Sequence, residues 1–246
     1  METAVLPGIL LPFFGTVLGV LLAMCAGGIC SSKNLGYLNA VAAGVMTAAS
    51  FFSLLLPSIE LSGAAAPWLP AVSGFILGGL CILLLEKFLA KPHAKKDGSM
   101  LMLAVTLHNF PEGMAVGVAL SGLYQTGMVS LLGALMLSLG IAIQNIPEGA
   151  IIYAPLYAKG VSRKKAFVLG VLSGVVEPIG AVITFCFTSF FTPLLPYILS
   201  FTAGAMIFVV ADEMIPSGKE GNPSPLPTIL FIVSFAAMML LDVAFS

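Results

Sequence analysis

Three glutamates stand inside apolar runs: Glu112 in SMLMLAVTLHNFPEGMAVGVAL, Glu148 in LLGALMLSLGIAIQNIPEGAIIYAP and Glu177 in VLGVLSGVVEPIGAVITF. The first two end near-duplicate stretches, His108-Asn109-Phe110-Pro111-Glu112-Gly113 and Gln144-Asn145-Ile146-Pro147-Glu148-Gly149. On a helix, residues i and i+4 share a face. His108 therefore stands one turn from Glu112, and Gln144 one turn from Glu148, with Asn109 and Asn145 three residues before the same carboxylates. Each helix offers a stripe of N and O donors. Imidazole, carboxylate and amide oxygen together suit first-row divalent cations such as zinc, iron, manganese and cobalt. The proline before each glutamate has no N–H, so the carbonyls of Leu107 and Ile143 lose their helical partners. Span six repeats the idea with Glu177-Pro178. Asp212 and Glu213 form a further acidic pair at the end of a later apolar run.

The elements that must hold these residues are membrane helices. Of 246 residues, 59% are hydrophobic and 9% charged, and mean hydropathy is +1.09. A soluble domain carries about a quarter charged residues. Spans of roughly 20 apolar residues are expected near 6–29, 36–57, 68–88, 100–120, 127–156, 164–190, 194–215 and 226–245. No soluble domain fits between them, so 1–246 reads as a single eight-helix transmembrane domain, an all-α fold. All ten Lys and Arg residues fall in alternate loops or at span edges, which puts those loops in the cytoplasm and both termini outside. The compact chain suggests a prokaryotic cytoplasmic membrane. Span five is overlong. Glu112 lies about 13 residues into its span and Glu148 about 21 into its own, so span five must tilt or begin above the bilayer for the two to meet.

Three carboxylates buried in lipid cost on the order of 8–10 kcal/mol together if left unpaired. No Lys or Arg lies within the spans to neutralise them. A bound cation is one compensation and protonation the other. The net charge of −1 gives no case for nucleic acid. No HExxH or GxSxG arrangement is present, so the chain does not read as an enzyme, and no organic cofactor is implied. Cys25, Cys30, Cys81 and Cys186 lack paired spacing and read as small core residues. No cleavable signal peptide is evident, since the N-terminus has Glu2 and no basic region before its first apolar run.

At these residues the chain resembles the ZIP family of zinc and iron transporters, in its bacterial-type branch. The matching elements are HNFPEG, QNIPEG and VEPIG, with AAGVMTAASFFSLLLP in span two and ADEMIPS at the end of span seven. The resemblance implies a transport site between helices four and five with contributions from two and six. It nominates His108, Asn109, Glu112, Gln144, Asn145, Glu148 and Glu177 as metal ligands, together with Met46, and Asp212 and Glu213 as an exit pathway. It also implies helices four and five at the core, flanked by helix triplets one to three and six to eight. Zinc or another divalent metal is then the substrate, moving toward the cytoplasm. Gln144 and Asn145 depart from the family pattern, where His and Asp are common, leaving fewer ionisable ligands.

Other readings stay open at this stage. The glutamates could be protonated structural acids, Asn145 an interhelical hydrogen-bonding residue, Met46 ordinary core packing, and Glu177 a proton carrier. A proton-coupled carrier of another small solute is the alternative function, and a membrane-embedded metal-dependent hydrolase a more remote one. The partners are divalent metal ions and the bilayer. Abundant small residues leave a homodimer open.

Overall fold

Long apolar runs without charged interruption form long helices, because a chain in lipid must satisfy its backbone internally. The computed structural model describes residues 5–26, 32–63, 66–89, 99–127, 129–187, 190, 192–219 and 224–245, and among them every regular element is helical. The long helices are α1 (Val5–Cys25), α2 (Gly36–Leu61), α3 (Trp68–Phe88), α4 (Ser99–Ser121), α5 (Leu131–Ala158), α6 (Arg163–Cys186), α7 (Leu195–Gly218) and α8 (Leu226–Ala244). Seven of them are long and apolar enough to cross a membrane; α4, with 23 residues, carries the polar HNFPEG stretch.

Several boundaries differ from expectation by about four residues: α2 runs to Leu61 rather than 57, and α6 stops at Cys186 rather than 190. Helix α1 ends at Cys25 rather than near 29. Helix α5 begins at Leu131 rather than 127, because Gly127 turns the chain at φ 66° and the Ser130 hydroxyl accepts from the Gly133 N–H at 3.0 Å. A serine at the N-cap satisfies an N–H that the first turn cannot. The late start narrows the depth difference without removing it. Glu112 follows Ser99 by 13 residues and Glu148 follows Leu131 by 17, about 20 and 26 Å along their helices.

The helices widen into under-wound π turns at Ser50–Leu55 in α2, at Gly122–Thr126 directly after α4 and at Val210–Met214 in α7. Helix α6 breaks at Val175 into Arg163–Gly174 and Val176–Cys186, two residues before Glu177. Pro178 cannot donate to Gly174, which favours a break there.

The most extensive packing pairs are α1 with α5, α3 with α7, α4 with α6 and α2 with α8. The expected triplets one to three and six to eight do not pack as units. Lipid gives no hydrophobic drive between helices, so close backbone approach decides partners. A Cβ on Gly15 or Gly19 would overlap the carbonyls of Ala142 and Ile146 in α5, and one on Gly113 the carbonyl of Glu177 in α6. The triplets survive as a symmetry instead. Exchanging α1, α2 and α3 for α6, α7 and α8, and α4 for α5, turns α1·α5 into α6·α4 and α2·α8 into α7·α3. The π turns of α2 and α7, and Pro111 and Pro147, obey the same exchange.

The segment Pro111–Val118 of α4 is buried throughout, and α5 is 56% buried against 11% for α8. Helices α4 and α5 thus lie inside, and α2 and α7 are as buried as α5. The cysteines do not: Cys25 and Cys186 are exposed and Cys81 half-buried, all as free thiols, while Cys30 lies outside the described residues. A small apolar side chain has no reason to avoid a lipid-facing surface. The Arg163 guanidinium donates to the Met24 carbonyl at 2.7 Å, so the basic start of α6 adjoins the end of α1.

Candidate functional site

Four helices bring polar side chains to one buried region. From α4 come Asn109 and Glu112, from α5 Gln144, Asn145 and Glu148, from α6 Glu177, and from α1 Thr16; each is at most 1% exposed. His108 lies on α4, but its side chain is outside the described residues.

The local spacing suggested Gln144 as the companion of Glu148 on α5. The structure turns it across the helix interface, where its amide Nε2 donates to Glu112 Oε1 at 2.7 Å. Asn109 Nδ2 donates to Glu177 Oε1 at 3.1 Å and to the Ser173 carbonyl at 3.3 Å. Asn145 Nδ2 reaches the Pro12 carbonyl of α1 at 3.4 Å, and the Asn145 amide also approaches the Glu177 carboxyl. Thr16 Oγ1 donates to Glu177 Oε1 at 2.8 Å. Glu177 sits in the first turn of the helix half Val176–Cys186, where unpaired backbone N–H groups favour negative charge.

The three carboxyls are coupled electrostatically in pairs. Glu112 lies within charge–charge reach of both Glu148 and Glu177, and Glu177 of Glu148. Five buried oxygens of these residues, Asn109 Oδ1, Glu112 Oε2, Gln144 Oε1, Asn145 Oδ1 and Glu177 Oε2, have no hydrogen-bond partner among the described residues. An unmet buried acceptor costs about 1–3 kcal/mol, more if charged. Every one of the five is an acceptor, and the amide N–H groups are already engaged. What such a set lacks is positive charge. Among the described residues no three His, Cys, Asp or Glu side chains close on one point; the region is a mixed arrangement of carboxylate and amide oxygens.

Met46 is 1% exposed and belongs to an apolar cluster that includes Ala115 and Ile151, each three residues beyond Glu112 and Glu148. Asp212 is exposed and Glu213 half-buried, both on the π turn of α7.

Sequence reasoning missed Thr16 and the carbonyls of Pro12 and Ser173. Thr16 is the single hydroxyl of α1, which is the signal it offered. Asp242 accepts from Ser53 Oγ at 2.6 Å and helps line a cavity of about 190 Å3 between α2, α5 and α8. That cavity reaches Ile143, whose carbonyl Pro147 leaves without its helical donor.

Residues 94–242 match the family model described as ZIP Zinc transporter. The chain is 34% identical over 210 residues to the zinc transporter GufA of Myxococcus xanthus, covering 78% of this chain and 80% of that protein. It is 34% identical over 248 residues to the zinc transporter ZIPB of Bordetella bronchiseptica, covering 94% of this chain and 78% of that one. Against the zinc transporter ZIP11 of Xenopus tropicalis, identity is 39% over 156 residues, and the chain spans 46% of that protein's length.

Proposed function

The chain belongs to the ZIP zinc transporter family, and on that premise we propose that it moves a divalent transition-metal cation, zinc foremost, across the membrane toward the cytoplasm through the centre formed by α4, α5 and α6. It is a transporter rather than an enzyme, and the ion is its cargo. In this reading α4 is the fourth of eight spans, with both termini extracytoplasmic and the membrane a cytoplasmic one.

The observation that carries the reading is the set of five buried acceptor oxygens without hydrogen-bond partners among the described residues, on helices that the hydrogen bonds of Gln144 to Glu112 and Asn109 to Glu177 tie together. A divalent cation satisfies both deficits at once. A neutral solute could donate to the oxygens but would leave the charge unmet, and an anionic one would add to it. One divalent ion between two carboxylates is neutral, whereas two ions need about four negative charges in a low-dielectric site that has three. The tight ion therefore sits among His108, Glu112, Gln144 and Glu148. Asn109, Asn145 and Glu177, with Met46 nearby, form a weaker second position. The cavity bordered by Ser53 and Asp242 is the approach from one end, and Asp212 and Glu213 mark the exit.

The test is uptake by proteoliposomes holding the purified chain, with zinc, iron, manganese, cobalt and cadmium compared. Saturable uptake of at least one of them, lost in Glu112→Ala, is expected. Equal uptake by Glu112→Ala and the unaltered protein would remove the reading.

A further inference from the structure

Helix α1 carries no carboxylate, amide or imidazole, yet it closes one wall of the buried centre. We infer that Thr16 of this helix positions the Glu177 carboxylate, fixing which of its two oxygens is presented to the cation. The inference rests on the proposed transport reading and adds a residue to it.

Hydroxyls on helices in this chain usually donate to the carbonyl one turn back. Thr47 donates to Ala43, Ser50 to Met46, Ser138 to Ala134 and Thr202 to Ile198. Thr16 gives its one proton to Glu177 Oε1 instead, at 2.8 Å and across 161 residues of sequence. The carbonyl one turn back from Thr16 is that of Pro12, and it accepts from Asn145 Nδ2. One face of α1 thus serves two residues of the centre, receiving from Asn145 and donating to Glu177.

The consequence for Glu177 is asymmetry. Oε1 accepts from both Thr16 and Asn109, while Oε2 has no hydrogen-bond partner among the described residues. Two donors on one oxygen hold the carboxylate in a single rotamer and leave the other oxygen to meet a cation. Outer hydrogen bonds orient metal-facing ligands in this way. Thr16 is itself rigid. It is fully buried, β-branched and stiff at χ1, and its carbonyl and Cβ abut Gly149 of α5 and Gly174 of α6 so closely that a Cβ on either glycine would crowd it. Three helices therefore meet at the residue that holds Glu177.

The experiment compares Thr16→Val, which keeps shape and loses the donor, with Thr16→Ser, which keeps the donor. The readouts are KM and kcat for zinc uptake in proteoliposomes, and Co2+ ligand-field absorption of the purified protein. Thr16→Val should raise KM about 10- to 100-fold and shift the Co2+ spectrum. Thr16→Ser should restore both toward the unaltered protein. In a Glu177→Ala background Thr16→Val should add nothing, because the hydroxyl acts through that carboxylate. An unchanged KM in Thr16→Val, an equal defect in Thr16→Ser, or a full Thr16→Val effect without Glu177 would each overturn the inference while leaving the transport reading intact. Thr16→Ala removes the same donor if Thr16→Val does not reach the membrane. Absence of metal binding by the unaltered protein would overturn the transport reading, and this inference with it.

Discussion

The Gln144 amide and the Glu112 carboxylate are joined across the α4–α5 interface by a 2.7 Å hydrogen bond. Among the described residues only one atom of each group is used. Gln144 Oε1 and Glu112 Oε2 have no hydrogen-bond partner among the described residues. Gln144→Leu keeps most of the volume and removes both the donor and the spare oxygen. Metal affinity should fall at least about 10-fold, read by titration calorimetry on purified protein. Gln144→Leu with unaltered affinity would show that the pair is structural.

The carboxylates should rank by their place in the centre. Glu112→Ala and Glu148→Ala each remove a central anion, and uptake should drop by more than the about 10- to 100-fold that outer partners cost. Met46 packs in an apolar cluster, so Met46→Leu should keep much of the activity, since such swaps cost under about 1.5 kcal/mol. Asp212→Asn and Glu213→Gln should slow uptake while binding at the centre persists. Zinc flux through vesicles, normalised to protein in the membrane, checks the order.

Charge counting gives one tight ion, and Asn145 is the residue that can change the count. Asn145→Asp adds a fourth carboxylate and loses the donor to the Pro12 carbonyl. Without metal the new carboxylate faces an acceptor, so thermal stability should fall. With metal a second, stronger binding step should appear and stability recover, because a ligand that binds the folded state raises it by mass action. In the unaltered protein affinity should weaken as pH drops from 7.5 to 5, since protons compete for the same ligand atoms. Calorimetry showing two equal tight sites in the unaltered chain contradicts the count.

Packing at the centre is testable without metal. A Cβ at Gly113 would overlap the Glu177 carbonyl, and the atom in its way is backbone that cannot swing aside. Gly113→Ala should destabilise the detergent-solubilised protein by about 1–3 kcal/mol or more, read as a lower thermal midpoint. Gly79, whose nearest such neighbour is the Gly204 carbonyl at 3.6 Å, has ordinary room; Gly79→Ala should leave the midpoint nearly unchanged.

The distribution of basic residues predicts sidedness. The Arg163 link to Met24 places the start of α6 beside the end of α1. Single cysteines in a Cys-free background at residues 159–165 should resist an impermeant thiol reagent outside cells, and those at 121–126 should react. Outside labelling at 159–165 would reverse the orientation.

Helix existence, the membrane class and the three costly glutamates were all legible in the sequence. Transfer from water to lipid is a sum over neighbouring residues, and the HNFPEG and QNIPEG stripes are local helical geometry. Even the exchange symmetry left a trace there, in Pro111 and Pro147. Partnership was not legible. Helical spacing put Gln144 beside Glu148, yet its amide crosses to Glu112 on the neighbouring helix. Asn109 looked like a member of the Glu112 stripe, and its amide holds Glu177 instead. Nothing near Thr16 in the chain announces a carboxylate 161 residues away. Those contacts depend on which glycine faces let two backbones meet, as where Gly15 and Gly19 of α1 meet α5 or Gly113 of α4 meets α6. Such approach is a property of paired surfaces, and only the tertiary structure decides it.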